Sequence, residues 1–176
     1  GVGRFVVDSL HELELLSRLA AHRGETVRIL LRVTPGVEAH THEYISTGQL
    51  DSKFGIPIEG GLALSAAREA LRTPHVELTG FHCHIGSQIF DLTGYRVAAG
   101  RMLAFAAAVR AETGFAAPEL SLGGGLGVRY VEGDRPVPPA ELVACLAEAV
   151  RAGAADHGLP LPRLIVEPGR SIVAEA

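Results

Sequence analysis

Four short apolar runs, each closing on glycine, proline or a polar cluster, constrain this chain more than anything else in it. They are VRILLRV before TPG (27–36), VELTGFHCHI before GSQ (76–88), ELSL before GGGLG (119–127) and RLIVE before PGR (163–170). Near-continuous aliphatic and β-branched content fits strands buried on both faces, as in parallel sheets. Helical stretches separate them. The first opens at Ser9, with Glu12 completing a capping box, and stops at Gly24. A second covers 61–71, and a third covers 93–113, with Val97, Met102, Phe105 and Val109 at helical spacing before Gly114. The last follows Pro139 at a first helical position and is expected to stop near Gly153 or Gly158. With the apolar run at 3–7 this predicts about five strands alternating with about four helices, the rhythm of a parallel α/β sheet. A doubly wound sheet and a (β/α)8 barrel both satisfy it, and both gather ligands at the carboxyl ends of their strands. A whole barrel takes roughly 250 residues, so the 176 here would supply part of one.

Composition narrows the function classes. The chain is 47% hydrophobic and 20% charged with a net charge of -4, which suits one globular unit and offers no basic surface for nucleic acid or anionic membrane. No apolar run approaches the roughly 20 residues of a membrane span, and no signal-peptide pattern opens the chain. Cys83 and Cys145 lack C-x-x-C spacing and read as reduced, buried thiols of a cytoplasmic protein. Met102 is the only methionine, so the chain reads as processed or truncated.

Three strand ends carry chemistry. His82 and His84 lie two apart, which on a regular strand puts them on one face with Gly80 and Leu78 and turns Phe81, Cys83 and Ile85 to the other. H-x-H can hold zinc on a barrel strand, but further ligands would have to come from other strands, and those ends bring no third histidine. His40 and His42 fall in the polar excursion at 34–58, His11 and His22 on the first helix, and His157 beyond the last. His84, beside Gly86 and Ser87, is the better site candidate, and His82 reads as a satisfied interior histidine. Gly123, Gly124, Gly125 and Gly127 permit a nest of inward N–H groups that would hold an anion, or simply a tight turn. Val128 breaks the dinucleotide pattern G-x-G-x-x-G, and no Gly-Lys-Ser/Thr follows for a P-loop. Pro168 ends the last strand between Glu167 and Arg170. Arg170 suits a phosphate or carboxylate and Glu167 a cationic nitrogen, unless the two merely pair. A planar cationic ring bearing a phosphate would use every one of these groups, and pyridoxal phosphate fits that description.

FHCHIGSQIF (81–90), LSLGGGLG (120–127) and IVEPGRSIV (165–173), in that order, resemble the diaminopimelate decarboxylase group of the ornithine-decarboxylase-like, pyridoxal-phosphate-dependent barrel enzymes. FVVDSLHELELL (5–16) and HEYISTGQLDSKFG (42–55) extend the resemblance over essentially the whole chain. It implies a (β/α)8 barrel to which residues 1–176, a single segment, supply roughly the fourth to eighth strands. His84 would stack on the cofactor ring, and Ser87, Gly124 and Gly125 would reach its phosphate. Glu167 would bind the ring nitrogen, and Pro168, Gly169 and Arg170 would complete the phosphate and substrate end. His84 and Glu167 are thus the implied catalytic residues, with no metal. The family's cofactor-bonding lysine would precede Gly1. A β-domain, whose cysteine and tyrosine complete the site across a homodimer, would follow Ala176, leaving the segment alone inactive. The implied reaction removes the carboxylate at the D-centre of meso-2,6-diaminopimelate, giving L-lysine and carbon dioxide. Arginine, ornithine or carboxynorspermidine decarboxylases, a metal hydrolase on the same barrel and a non-catalytic relative are the alternatives. Lys53 is the only lysine, but it lies in DSKFG without the apolar strand setting that would activate an amine, so it is not expected to bond the cofactor.

Overall fold

The computed structural model describes residues 1–37 and 54–174, so His40, His42 and Lys53 lie outside the described residues. Local signals set the elements. Strand β1 (Phe5–Val7) leads to helix α1 (Leu10–Arg23), where Ser9 Oγ accepts from the amide of Glu12 at 3.2 Å and Gly24 closes the helix in the left-handed region at φ 65°. The glutamate of this cap reaches the amide of Asp8, at 2.6 Å, one residue before the usual partner. Strand β2 (Val27–Thr34), the two-residue strand β3 (Ile56–Pro57) and a 3-10 turn (Glu59–Gly61) precede α2 (Leu62–Arg72) and β4 (Val76–His82). Then come α3 (Thr93–Thr113), β5 (Glu119–Ser121), α4 (Pro139–Asp156), β6 (Arg163–Ile165) and the short α5 (Gly169–Val173).

All the strands pair in parallel, in the order β1-β2-β4-β5-β6, with β3 beside the end of β2. The order runs with the sequence and never reverses, so there is no switch point of the doubly wound kind. One hydrophobic cluster joins the helices to alternate strand residues, among them Ile29, Leu31, Phe81, Cys83, Leu120 and Leu122. The ring of Phe81 meets Phe105 of α3 edge-on, with centroids 4.8 Å apart. The other face carries the buried polar side chains of His82, Glu119 and Ser121, beside the apolar Leu30. Sequential parallel strands with helices on one face only are the architecture of a partial (β/α)8 barrel.

A β-bulge departs from the strict alternation expected of β4. Ile29 pairs with Leu78 but Leu30 pairs with Gly80, leaving Thr79 as the extra residue. The slip turns Leu78 into the helix-side cluster with Phe81 and Cys83, away from His82. Thr79 Oγ1 lies 3.0 Å from both the carbonyl of Ile29 and a carboxylate oxygen of Glu119. Burial opposes ionisation of Glu119, but bonds from Thr79 and Arg163 and the charge of Arg4 outweigh it and hold its carboxyl below the ordinary value. A charged layer therefore fills the sheet face near the start of the strands.

Among the described residues β1 pairs only with β2, and β6 only with β5. Two strands with open backbone edges and exposed Phe5 and Val6 favour pairing with further copies. The 176-residue chain made alone is expected to elute from size exclusion as oligomers or aggregates. A stable monomer would show that the edges are protected.

Candidate active site

Strand β4 ends at His82, sooner than the histidine motif suggested, so His84 sits in the connection beyond it, exposed, while His82 is 5% exposed. The connection past β4, the glycine loop past β5 and the turn past β6 then converge on a cleft of about 350 Å³. His84, Ser87, Gly124, Gly125, Glu167, Gly169 and Arg170 are among the residues that line it. The sequence candidates from three separate motifs are thus brought together.

Backbone bonds stitch this mouth shut at its base. The amide of Ile89 donates to Gly125 O, that of Gly127 to Ile89 O and that of Glu167 to Gly123 O, each at 2.9 Å. The hydroxyl of the buried Tyr95 adds a bond to Gly124 O at 2.9 Å. Packing this close requires glycine. A Cβ on Gly124 would fall 2.0 Å from the carbonyl oxygen of Glu167, and one on Gly125, where φ is +97°, 2.1 Å from that of Gly86. The amides of Gly124 and Gly125 donate to no group among the described residues, which leaves two N–H donors at the cleft. The amide of Gly169, in contrast, is spent on Glu167 O at 2.9 Å, so this corner contributes the guanidinium of Arg170 and the space beside Gly169.

Glu167 is not the fully buried carboxylate that the end of a buried strand suggests, since its side chain keeps 47% exposure. One of its oxygens, Oε1, lies 3.1 Å from His82 Nε2 and accepts from Ser121 Oγ at 2.7 Å. The bond to His82, helped by that from Ser121 and opposed by partial burial, draws its carboxyl down to about 2, so it is ionised throughout the neutral range. Partial desolvation in the cleft, with the charge of Arg32 next, lowers His84 from its ordinary value, favouring a neutral ring there. Burial also pushes the Cys83 thiol up to about 12, which makes it a packing residue with no thiolate to offer.

Arg170 faces the cleft from α5. Its guanidinium donates to Gln88 Oε1 at 3.0 Å and to Ser87 Oγ at 3.3 Å. Gln88 in turn donates to Val128 O at 2.7 Å and accepts from the Val128 amide at 3.2 Å, tying the arginine to the glycine loop. Ser121, Gln88 and Tyr95 are the residues about the cleft that sequence reasoning missed, and His82, read from the sequence as an interior histidine, is buried beside Glu167. Gln88 adopts φ 59°, and no pattern in its neighbourhood announces it. Among the described residues no three His, Cys, Asp or Glu side chains come together as a metal site, and no helix is long and apolar enough to cross a membrane.

Residues 1–174 match the family described as pyridoxal-dependent decarboxylase, pyridoxal binding domain. The chain is 47% identical over its whole length to a diaminopimelate decarboxylase of Halalkalibacterium halodurans and 45% identical over 99% of it to one of Bacillus subtilis. It spans 40% of the length of each of these curated relatives. A crystal structure of the M. jannaschii diaminopimelate decarboxylase in co-complex with L-lysine superposes with a TM-score of 0.84 at 36% identity, covering 97% of this chain and 39% of that one. The converging strand ends, the glycine loop and this match along the sequence lead to one conclusion: the chain belongs to the pyridoxal-dependent decarboxylases, whose pyridoxal binding domain its residues 1–174 match.

Proposed function

We propose that residues 1–176 are a single barrel segment of a longer, pyridoxal-phosphate-dependent enzyme that converts meso-2,6-diaminopimelate to L-lysine and carbon dioxide. The observation that carries this reading is the meeting of an ionised Glu167, the uncommitted amides of Gly124 and Gly125, and Arg170 in one cleft. The donor set fits the cofactor. A carboxylate suits a protonated ring nitrogen, N–H groups and a guanidinium suit a phosphate dianion, and the glycines let the loop pack against Glu167 O and Gly86 O with two amides left over. Similarity at 47% and 45% identity to diaminopimelate decarboxylases supports the choice of substrate.

When bound, the cofactor supplies an electron sink for the carbon that loses its carboxylate. The chain's own residues hold and polarise it. Glu167 keeps a proton on the ring nitrogen, His84 supplies a flat neutral ring for stacking, and Ser87, Gly124, Gly125 and Arg170 grip the phosphate, with Pro168 and Gly169 shaping the turn. Arg170 also faces the substrate end. Its bonds to Gln88 and Ser87 fix the guanidinium in advance, so little orientation is lost on binding.

The half-exposed Glu167 leaves the cleft open on a side that the rest of the protein and a second protomer of a homodimer would close. Two unpaired, buried cysteines support the cytoplasm as its place. The full-length protein loaded with pyridoxal phosphate is expected to release one carbon dioxide and one L-lysine per meso-diaminopimelate. Ornithine, arginine and lysine should have kcat/KM values lower by on the order of 10² or more. Preference for one of those amino acids would reassign the substrate, and bound cofactor without any turnover would point to the non-catalytic relative.

A further inference from the structure

Directly beneath the cleft, His82 and Ser121 are register partners on adjacent strands β4 and β5. Both are withdrawn from water, at 5% and 0% exposure. Each places a donor on the same oxygen of Glu167, His82 Nε2 at 3.1 Å and Ser121 Oγ at 2.7 Å. A carboxylate only accepts, so His82 carries its hydrogen on Nε2. Its other nitrogen, Nδ1, is buried without a partner among the described residues. That is an unfavourable setting for a residue that merely filled space, since an apolar side chain of the same size would strand no polar atom. Ser121 is aimed as well. Its oxygen accepts from the Gly123 amide at 3.2 Å, which leaves its single hydrogen for Glu167. With both donors on Oε1, no group among the described residues bonds to Oε2.

We propose that His82 and Ser121 are positioning residues that tie down one oxygen of Glu167 so that the other is aimed at the ring nitrogen of the cofactor. The inference rests on the proposed pairing of Glu167 with that nitrogen. A glutamate has three rotatable side-chain bonds, and half exposed at a strand end it would sample several rotamers. Two buried donors on one oxygen select one of them before the cofactor arrives, which is how preorganised contacts gain their effect.

The test is a set of double-mutant cycles in the full-length protein loaded with pyridoxal 5'-phosphate. Ser121→Ala, His82→Leu and His82→Gln are each made alone and with Glu167→Gln. Turnover, KM, and the dissociation constant and visible absorption spectrum of the bound pyridoxal phosphate are measured. Alone, Ser121→Ala and His82→Leu should each lower kcat about 5- to 20-fold with KM nearly unchanged, and should move the spectrum toward that of Glu167→Gln. His82→Gln, which keeps an N–H donor, should recover most of the loss. In the Glu167→Gln background the same changes should alter kcat by less than about twofold, because no ionised oxygen is left for His82 and Ser121 to aim. Equal losses in both backgrounds, no loss in either, or a His82→Gln variant as damaged as His82→Leu would overturn the proposal. Ser121→Ala removes a single oxygen atom and carries the test even if a His82 variant fails to fold. Should Glu167→Gln itself leave turnover and spectrum at wild-type values, the reading of Glu167 fails, and positioning fails with it. Should Glu167→Gln be damaging and the cycles show no coupling, positioning alone fails.

Discussion

Glu167→Gln in the full-length protein is expected to lower turnover by on the order of 10²–10³, about 3–4 kcal/mol, the range seen when one preorganised electrostatic contact is removed. The substitution is mild in shape. The amide oxygen of glutamine can still accept from His82 and Ser121, as Glu167 Oε1 does at 3.1 and 2.7 Å. What changes is the other end, where an NH2 donor replaces an ionised oxygen. A donor facing the ring nitrogen favours that nitrogen without its proton, and so weakens the electron sink on which the proposed reaction depends. Cofactor affinity should fall much less, because the phosphate contacts proposed for Gly125 and Arg170 are untouched. Measuring turnover beside cofactor occupancy separates the two effects. Turnover within a few-fold of wild type would make Glu167 a structural residue.

Gly124→Ala should damage both stability and cofactor binding. Its Cβ would fall 2.0 Å from the carbonyl oxygen of Glu167 and 3.0 Å from the carbon, and neither atom can swing aside as a side-chain tip could. The glycine loop and the end of β6 would have to part by about 1 Å. The Tyr95 bond to Gly124 O and the Glu167 amide bond to Gly123 O, both 2.9 Å, resist that parting. Overpacking of this kind costs about 1–3 kcal/mol or more, and the displaced amides should weaken pyridoxal phosphate at least roughly tenfold. Gly100→Ala is the control. No atom lies within 4 Å of its added Cβ, and an exposed mid-helix glycine exchanged for alanine should raise stability by about 0.5–1 kcal/mol. Denaturant melts and cofactor titrations of both variants decide the matter. A Gly124→Ala protein as stable and as tightly bound as wild type would mean that the loop yields freely.

What the sequence determined on its own is where local chemistry is self-sufficient. The limits of α3 follow from apolar spacing and Gly114, the start of α1 from Ser9, and the start of α4 from Pro139. Each signal acts within about one helical turn. The parallel pairing followed from the β/α rhythm, and the gathering of Glu167, Arg170, His84 and the glycine loop at one end from the three motifs, whereas the rhythm left the order of the strands open between a doubly wound sheet and a barrel. The tertiary structure decided the rest. α4 runs through Gly153, a possible stop, whose missing Cβ makes room for Leu103 of α3 2.5 Å away, and the helix instead ends ahead of Gly158 in the left-handed region at φ 60°. The bulge at Thr79 broke the alternation that had grouped Leu78 with His82. His82 is the interior histidine that the sequence suggested, but its partners, Ser121 on β5 and Glu167 past the end of β6, could not be read from its neighbours in the chain. Capping and periodicity are settled among neighbours in the chain, whereas register, close approach and shared hydrogen-bond acceptors exist only once segments tens of residues apart have packed together.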